Sequence, residues 1–328
     1  MPALPFGLRY PIAQAPTGSV AGPELAAAVS AAGALGAMAL TWTPPETAAE
    51  YVRQVRAATD HPFLVNFALA FPPTSLTAVL EAGAPIVSFS WGDPAPYLSP
   101  VRAAGAAIGM QVASVAGARH AVTLGVDFLV CQGIEAGGHV QSTTPLEELL
   151  PRVVAAAEGR PVFAAGGIAD GAGIARALSL GAAAAMLGTR FVATQESRAH
   201  PEYKRRLMEA AGSDTALTVC FDGGWPYAAH RVLRNNTLER WEALGCPPPG
   251  QRPGEGETVA TAASGEPILR YEDTAPRAGM TGQVLDMALY AGTGCGVITD
   301  VPPAAALVER LVREYEQALI ASARLGRR

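Results

Sequence analysis

Charge is scarce in this chain. Only 16% of its 328 residues are Asp, Glu, Lys or Arg, and the balance is acidic, with a net charge of −5. No basic footprint therefore offers itself to nucleic acid or to an anionic membrane surface. Cysteine is sparse too. Cys131, Cys220, Cys246 and Cys295 are widely separated and contain no Cys-x-x-Cys pair, so neither a zinc site nor a disulfide framework is expected, and no metal is assigned. The Ala-rich run Gly181 to Leu187 is far too short to cross a bilayer. The first residues, Met1-Pro2-Ala3-Leu4-Pro5, lack the basic and long apolar regions of a signal peptide, so a cytoplasmic protein is the expectation.

What the chain does have is apolar bulk and turn formers. Hydrophobic residues make up 49%, with 35 Gly and 27 Pro, enough for a large core threaded by tight turns. The length fits one large domain, or a domain with an insertion.

Short apolar runs alternate with amphipathic or Ala-rich stretches, the rhythm of βα units around a parallel sheet. Eight strands are expected: Ile12 to Ala15, Ala34 to Leu40, Phe63 to Ala68, Ile86 to Ser90, Ala107 to Val112, Phe128 to Cys131, Val162 to Ala165 and Ala184 to Leu187. Eight strands with crossover helices in one run fit a (β/α)8 barrel, the α/β fold expected here, although an open doubly wound sheet shares the count. Beyond Thr194 the rhythm breaks. Glu196 to Ala211 and Leu238 to Leu244 read as helices, and Gly245 to Pro267 is rich in Pro, Gly and Glu with no strand-helix pattern. Residues 195–280 are accordingly expected to form an irregular, partly helical insertion or lid, with the barrel in residues 1–194 and 281–328. Ala304 to Ala321 carries one apolar face of Leu307, Val308, Leu311, Val312, Tyr315, Leu319 and Ile320, suited to the eighth outer helix.

Candidate chemistry gathers where chain leaves the strands. Gln14-Ala15-Pro16-Thr17-Gly18 ends the first, and Asn66 lies in the third. The sixth runs into Cys131-Gln132-Gly133-Ile134-Glu135-Ala136-Gly137-Gly138-His139, which is either a flexible loop or a site wall. The seventh is followed by Gly166-Gly167-Ile168-Ala169-Asp170-Gly171, and the eighth by Gly188-Thr189-Arg190-Phe191. Loops after strands seven and eight of such barrels frequently hold a phosphate on backbone N–H groups, which points to a phosphate-bearing cofactor. No Gly-Lys-Ser/Thr and no dinucleotide fingerprint on the first helix competes with that reading. Among five histidines, His139 alone sits at a strand end among glycines. His61 precedes Pro62, and His120 and His230 read as helix positions. Glu135 is expected to hold the turn and Cys131 to pack in the core; Trp225 and Tyr227 could close over a pocket, with surface packing the expected role of either one.

These stretches, with Val65-Asn66-Phe67, Val87-Ser88-Phe89 and Tyr290-Ala291-Gly292, occur in an order similar to that of the nitronate monooxygenase family, FMN-dependent (β/α)8 barrels. The resemblance implies that Gly166, Gly167, Gly188 and Thr189 hold the FMN phosphate. Asn66, Gln132 and the backbone of Ala15, Pro16 and Thr17 contact the flavin, with Gly137 and Gly138 beside it. Gln111 stands where some relatives carry a cation. His139 matches the catalytic base that takes the α-proton of a neutral nitroalkane. The implied reaction oxidises an alkyl nitronate with O2 to a carbonyl compound and nitrite, with the flavin supplying the electron chemistry. The expected partners are that small molecule and O2, with a homodimer left open. Three departures stand out: Thr17 replaces a usual Met, Gly292-Thr293 replaces Gly-Gln, and Val140-Gln141 replaces Arg-Gly. These changes are expected to alter the pocket rim, with Val140-Gln141 the first place to look for substrate choice. The same motifs occur in FMN-dependent NAD(P)H reductases of quinones or enoyl thioesters, and a barrel that binds flavin without turnover is a further alternative.

Overall fold

A computed structural model describes residues 4–325, with side chains to residue 321. The eight barrel strands are β1 (Ile12–Gln14), β2 (Gly36–Ala39), β3 (Phe63–Ala68), β4 (Ile86–Ser90), β5 (Ala107–Val112), β6 (Phe128–Gln132), β7 (Val162–Ala165) and β8 (Ala184–Leu187). Every neighbouring pair from β2 round to β8 and on to β1 is parallel. The ring shuts between β1 and β2, where the Leu35 N–H donates to the Ile12 carbonyl (2.9 Å) and the Gln14 N–H to the Leu35 carbonyl (2.8 Å). The fully buried Gln14 side chain strengthens that seam by accepting the Ala37 N–H through Oε1 at 2.8 Å. The open-sheet alternative is thereby excluded.

Strand alternation decides what fills the barrel and what faces its helices. In β6, Phe128 and Val130 join the interior cluster with Leu64, Ile86, Phe163 and Met186, while Leu129 and Cys131 pack outward. Gly109 in β5 makes room for the Phe128 ring, since a β-carbon there would lie 2.2 Å from Phe128 Cζ. Phe6 closes the amino-terminal end of this core, edge-on to Phe128 at 5.1 Å. The same parity, carried to the carboxyl ends, turns Asn66, Ser88, Ser90, Gln111 and Gln132 inward. The apolar plug thus gives way to a polar floor at one end.

Outer helices α1 (Pro23–Ala31), α2 (Pro45–Ala58), α3 (Leu76–Glu81), α4 (Leu98–Ala103), α5 (Val115–Leu124), α6 (Leu146–Ala156) and α7 (Gly171–Ser179) follow successive strands. The C-terminal helix Ala304–Leu325 takes the eighth place, packed between α7 and α1. Its Glu314 carboxylate accepts the Gly171 N–H that opens α7, at 3.0 Å. The apolar face is buried at Leu307, Val308, Leu311, Val312 and Tyr315, but Ile320 is more than half exposed, so the stripe stops short of the extent expected.

Between β8 and that helix lie pieces the sequence reading resolved only in part. Helices occupy Pro201–Glu209 and Asn236–Ala243, the latter capped by Asn235 Oδ1 accepting the Leu238 N–H at 3.2 Å. Two small antiparallel sheets accompany them. One joins Thr215–Thr218, His230–Leu233 and the two-residue strand Gly138–His139. The other pairs Thr258–Thr261 with Pro267–Leu269 and Thr281–Gly282, so the Pro/Gly-rich stretch is not without strands. Each of these strands is four residues or shorter, too little alternation for a period-two signal. His230, expected in a helix, is a fully buried strand residue. The β-branched Val232 beside it and the cross-strand partner His139 suit a strand, and neither is visible in local helical spacing.

Candidate functional site

The stretch after β6 is clamped on all sides. The Gly133 N–H donates to Ala165 O (2.9 Å), the Ile134 N–H to Thr144 O (3.0 Å) and the Val140 N–H to Ala229 O (2.8 Å). Arg231 donates through Nη2 to Ile134 O at 2.9 Å. Glu135 holds the turn, as expected. Its carboxylate accepts the Leu146 N–H at 3.0 Å and its carbonyl accepts the Thr293 N–H at 3.0 Å. Gln132 staples the far end: Nε2 donates to His139 O (3.1 Å) and Oε1 accepts the Gln141 N–H (3.0 Å). Gln111 Nε2 bridges Gln132 Oε1 at 3.3 Å and Gln141 Oε1 at 3.1 Å. The flexible-loop alternative fails on these bonds. Cys131 is buried, and burial pushes its thiol up to about 12, so it packs as an inert core residue.

The clamped stretch walls a cavity of about 630 Å³ at the carboxyl ends of the strands. Ala15, Pro16, Thr17, Asn66, Gln111, Gln132, Gly137, Gly138, His139, Gly166, Gly167, Gly188 and Thr189 all line it. The fold thus brings every expected site residue to one place. Asn66 is held by Ser88 and Ser90. Its Nδ2 donates to Ser88 Oγ at 2.9 Å and its Oδ1 accepts from Ser90 Oγ at 3.4 Å. Thr189 Oγ1 accepts the Gly292 N–H at 3.0 Å, which leaves its hydroxyl proton free to donate to a ligand.

Two glycines are compelled by local geometry. Gly166 sits at φ +125°, closed to L side chains. Gly137 packs so tightly on the Ala291–Gly292 backbone that a β-carbon would lie 2.4 Å from Gly292 N. Part of the glycine signal after β6 therefore reports chain packed on chain rather than chain on ligand.

His139 is half-buried, with Nε2 enclosed and without a hydrogen-bond partner. Desolvation, reinforced by His230, lowers its pKa to about 3, so the ring is neutral at physiological pH. His230 is locked neutral in another way. Its Nδ1 lies 2.9 Å from Ala228 O and its Nε2 accepts the Phe221 N–H at 3.2 Å, which assigns the proton to Nδ1.

Several lining residues were not anticipated. For Trp225 the alternative to surface packing holds: it is buried on the cavity and stacks on His139 at 4.2 Å between ring centroids. Tyr227 is 93% exposed, as expected of a surface residue. Trp42, Phe71, Trp91, Asp273 and Arg277 also line the cavity. Burial pushes the Asp273 carboxyl up to about 6, and Arg277 has a buried Nε with no partner. Trp42, Phe71 and Trp91 each fall within three residues of a strand end, a signal available in the sequence but passed over. Val140 and Gln141 do not line the cavity. Val140 is buried in the ladder beside Ala229, and Gln141 is spent on Gln111 and Gln132, so the expectation that they shape the rim is corrected.

With this geometry in hand, the nitronate monooxygenase family model matches residues 5–75 and 73–314. The chain belongs to the nitronate monooxygenase family. A nitronate monooxygenase of Pseudomonas aeruginosa is 33% identical over 94% of this chain and 97% of its own. A 5-hydroxy-7a-methyl-1-oxo-octahydro-1H-indene-4-carboxyl-CoA dehydrogenase of Mycobacterium tuberculosis is 35% identical over 73% of this chain and 67% of its own. Among solved structures, FabK from Thermotoga maritima superposes with a TM-score of 0.83 at 29% identity, covering 97% of this chain and 96% of the other. Nitronate monooxygenases are oxidoreductases that work with a flavin, and this chain is an enzyme of that family. Among the described residues, no helix is long and apolar enough to cross a membrane, and no cluster of metal-ligating side chains occurs.

Proposed function

We propose that this chain is an FMN-dependent nitronate monooxygenase, oxidising alkyl nitronates with O2 to a carbonyl compound and nitrite. The observation that carries this reading is His139, with Nε2 enclosed and unpaired on the wall of the cavity that gathers the expected site residues.

The cavity suits a flavin. Its volume lies within the roughly 300–1,000 Å³ of small-molecule and cofactor sites, and Thr17 Oγ1 is a second buried polar atom there without a partner. Gly166, Gly167, Gly188 and Thr189 would hold the phosphate. Ala15, Pro16, Thr17, Asn66, Gln111, Gln132, Gly137 and Gly138 would surround the ring. Bound flavin supplies the electron acceptor, a chemistry that no side chain of the protein has.

The protein's own part is proton handling and positioning. A neutral His139 can accept the α-proton of a nitroalkane. The anion formed beside it offsets the burial penalty on the imidazolium, raising a basicity that burial otherwise holds low. Toward an already anionic nitronate the same ring binds and orients. Gln132, bonded to the His139 carbonyl, fixes the ring's position relative to the barrel floor. In this reading residues 195–280 close over the barrel built by residues 1–194 and 281–328, since His230 and Trp225 meet His139 from that side.

A reductase or dehydrogenase of CoA thioesters is the second reading, favoured by the activity for which the mycobacterial relative is named. Anaerobic mixing of the flavin-loaded protein separates the two. Bleaching by ethylnitronate but not by NADH or NADPH is expected; rapid bleaching by a pyridine nucleotide with no nitronate turnover would overturn the proposal.

A further inference from the structure

Aromatic residues are 6% of the chain and tryptophans only four, yet Trp42, Trp91 and Trp225 all line one cavity. They come from different places. Trp42 follows β2, Phe71 follows β3 and Trp91 follows β4, so three consecutive barrel loops each deliver one ring. Trp225 arrives from the hairpin between Thr215–Thr218 and His230–Leu233. It is the hub, 4.7 Å from Trp91, 5.2 Å from Phe71 and 6.2 Å from Trp42, and stacked on His139.

Two further observations show that this wall is built rather than incidental. Trp91 sits at φ +59°, a left-handed backbone that a bulky residue adopts only when its surroundings impose it. Trp42 lines the cavity and keeps 56% of its surface exposed, so part of its ring is left uncovered by the protein. The Trp pairs with Phe71 and with one another cross at 64–79°, edge to face. Each edge-to-face contact covers only part of a ring, and Trp42, the most exposed of the tryptophans on this wall, keeps surface on which another ring can lie.

We infer that the substrate of this site carries a planar ring next to its reacting carbon, an aryl group rather than a short alkyl chain, and that Trp42 and Trp225 select it. The inference rests on the cavity being the flavin and substrate site. A small alkyl nitronate would cover little of the aromatic wall, whereas a ring covers more of it at little entropic cost, because an aryl group has few torsions to fix. Aromatic boxes also bind cations. Here Arg277 on the same cavity offsets Asp273, so the wall carries no net negative charge to draw a positive ligand.

The test is titration of the flavin-loaded enzyme with benzoate, hexanoate and tetramethylammonium, read by the flavin difference spectrum and tryptophan fluorescence. Turnover of phenylnitromethane anion and ethylnitronate is measured alongside. Benzoate is expected to bind at least about tenfold tighter than hexanoate, as one or two aromatic contacts would give. The preference should collapse in Trp225→Ala and in Trp42→Ala; Trp42 is exposed enough that its replacement spares the fold. Equal or tighter hexanoate binding, a benzoate preference unchanged in both variants, or tetramethylammonium as the tightest ligand would each overturn the inference. Benzoate selectivity with neither nitronate turned over would remove the proposed reaction and leave the ring preference standing. Equal turnover of both nitronates without benzoate selectivity would do the reverse.

Discussion

His139 and His230 are directly paired residues of two antiparallel strands, with ring centroids 5.4 Å apart, and both rings are held neutral by burial. The unfolded chain takes up a proton on each below about pH 6.5. The folded chain resists until about pH 3 at His139. Between those values the unfolded state binds more protons, so stability falls as the pH falls. For His139 alone the loss reaches about 2 kcal/mol by pH 5. Urea unfolding at pH 7 and pH 5 should show it, and His139→Asn should lose less on acidification. An identical pH dependence in the variant would refute the assignment.

Removing the ring should separate its two roles. His139→Ala is expected to lower kcat/KM for neutral nitroethane by about 10²–10⁴-fold, the usual worth of a general base. With preformed ethylnitronate the loss should be much smaller. Steady-state oxygen consumption on both substrates measures this, and equal losses would count against proton abstraction.

Gln132 is a positioning residue whose amide is consumed by the loop it holds. Gln132→Leu leaves the Gln141 N–H and the His139 carbonyl without that partner. A cost of about 1–3 kcal/mol is expected, with turnover falling because the ring of His139 is no longer held in register. Denaturant midpoints and kcat on ethylnitronate check the two effects. Unchanged values for both would show that the ladder to residues 230–231 suffices.

Neighbouring glycines should fail for different reasons. Gly138→Ala meets no atom within 4 Å and suffers only its φ of +76°, about 1 kcal/mol. Gly137→Ala meets the Gly292 backbone and should cost about 1–3 kcal/mol, with reduced flavin content because the wall shifts. Thermal unfolding and the absorbance ratio of bound flavin to protein rank the two; the opposite order would contradict the packing described.

The barrel was legible because the strands are short, mostly apolar runs and several crossovers begin with Pro or follow Ser, Thr or Asp. The polar residues of the site were legible because they sit at strand ends, where parity turns them inward. What escaped was contact between distant segments. That His139 pairs with His230, and that Trp225 stacks on it, depends on strands two to four residues long, which carry no periodic signature. Val140-Gln141 drew attention as a local departure, yet burial of Val140 and the three-glutamine cluster remove that pair from the cavity. Local sequence shows that a residue is unusual; only its partners show which way it faces.

The hairpin that carries Trp225 has two separable parts. Its strands fix the backbone register of His139 through residues 230–231, while the eleven residues 219–229 between them carry the stacking ring. Cys220 and Phe221 are buried and Asp222 is paired with Arg252, so change is confined to the tip around Trp225, where one side chain can be exchanged for another while the ladder keeps the histidine in place. Descendants of one barrel could acquire new substrates through this segment without rebuilding their chemistry.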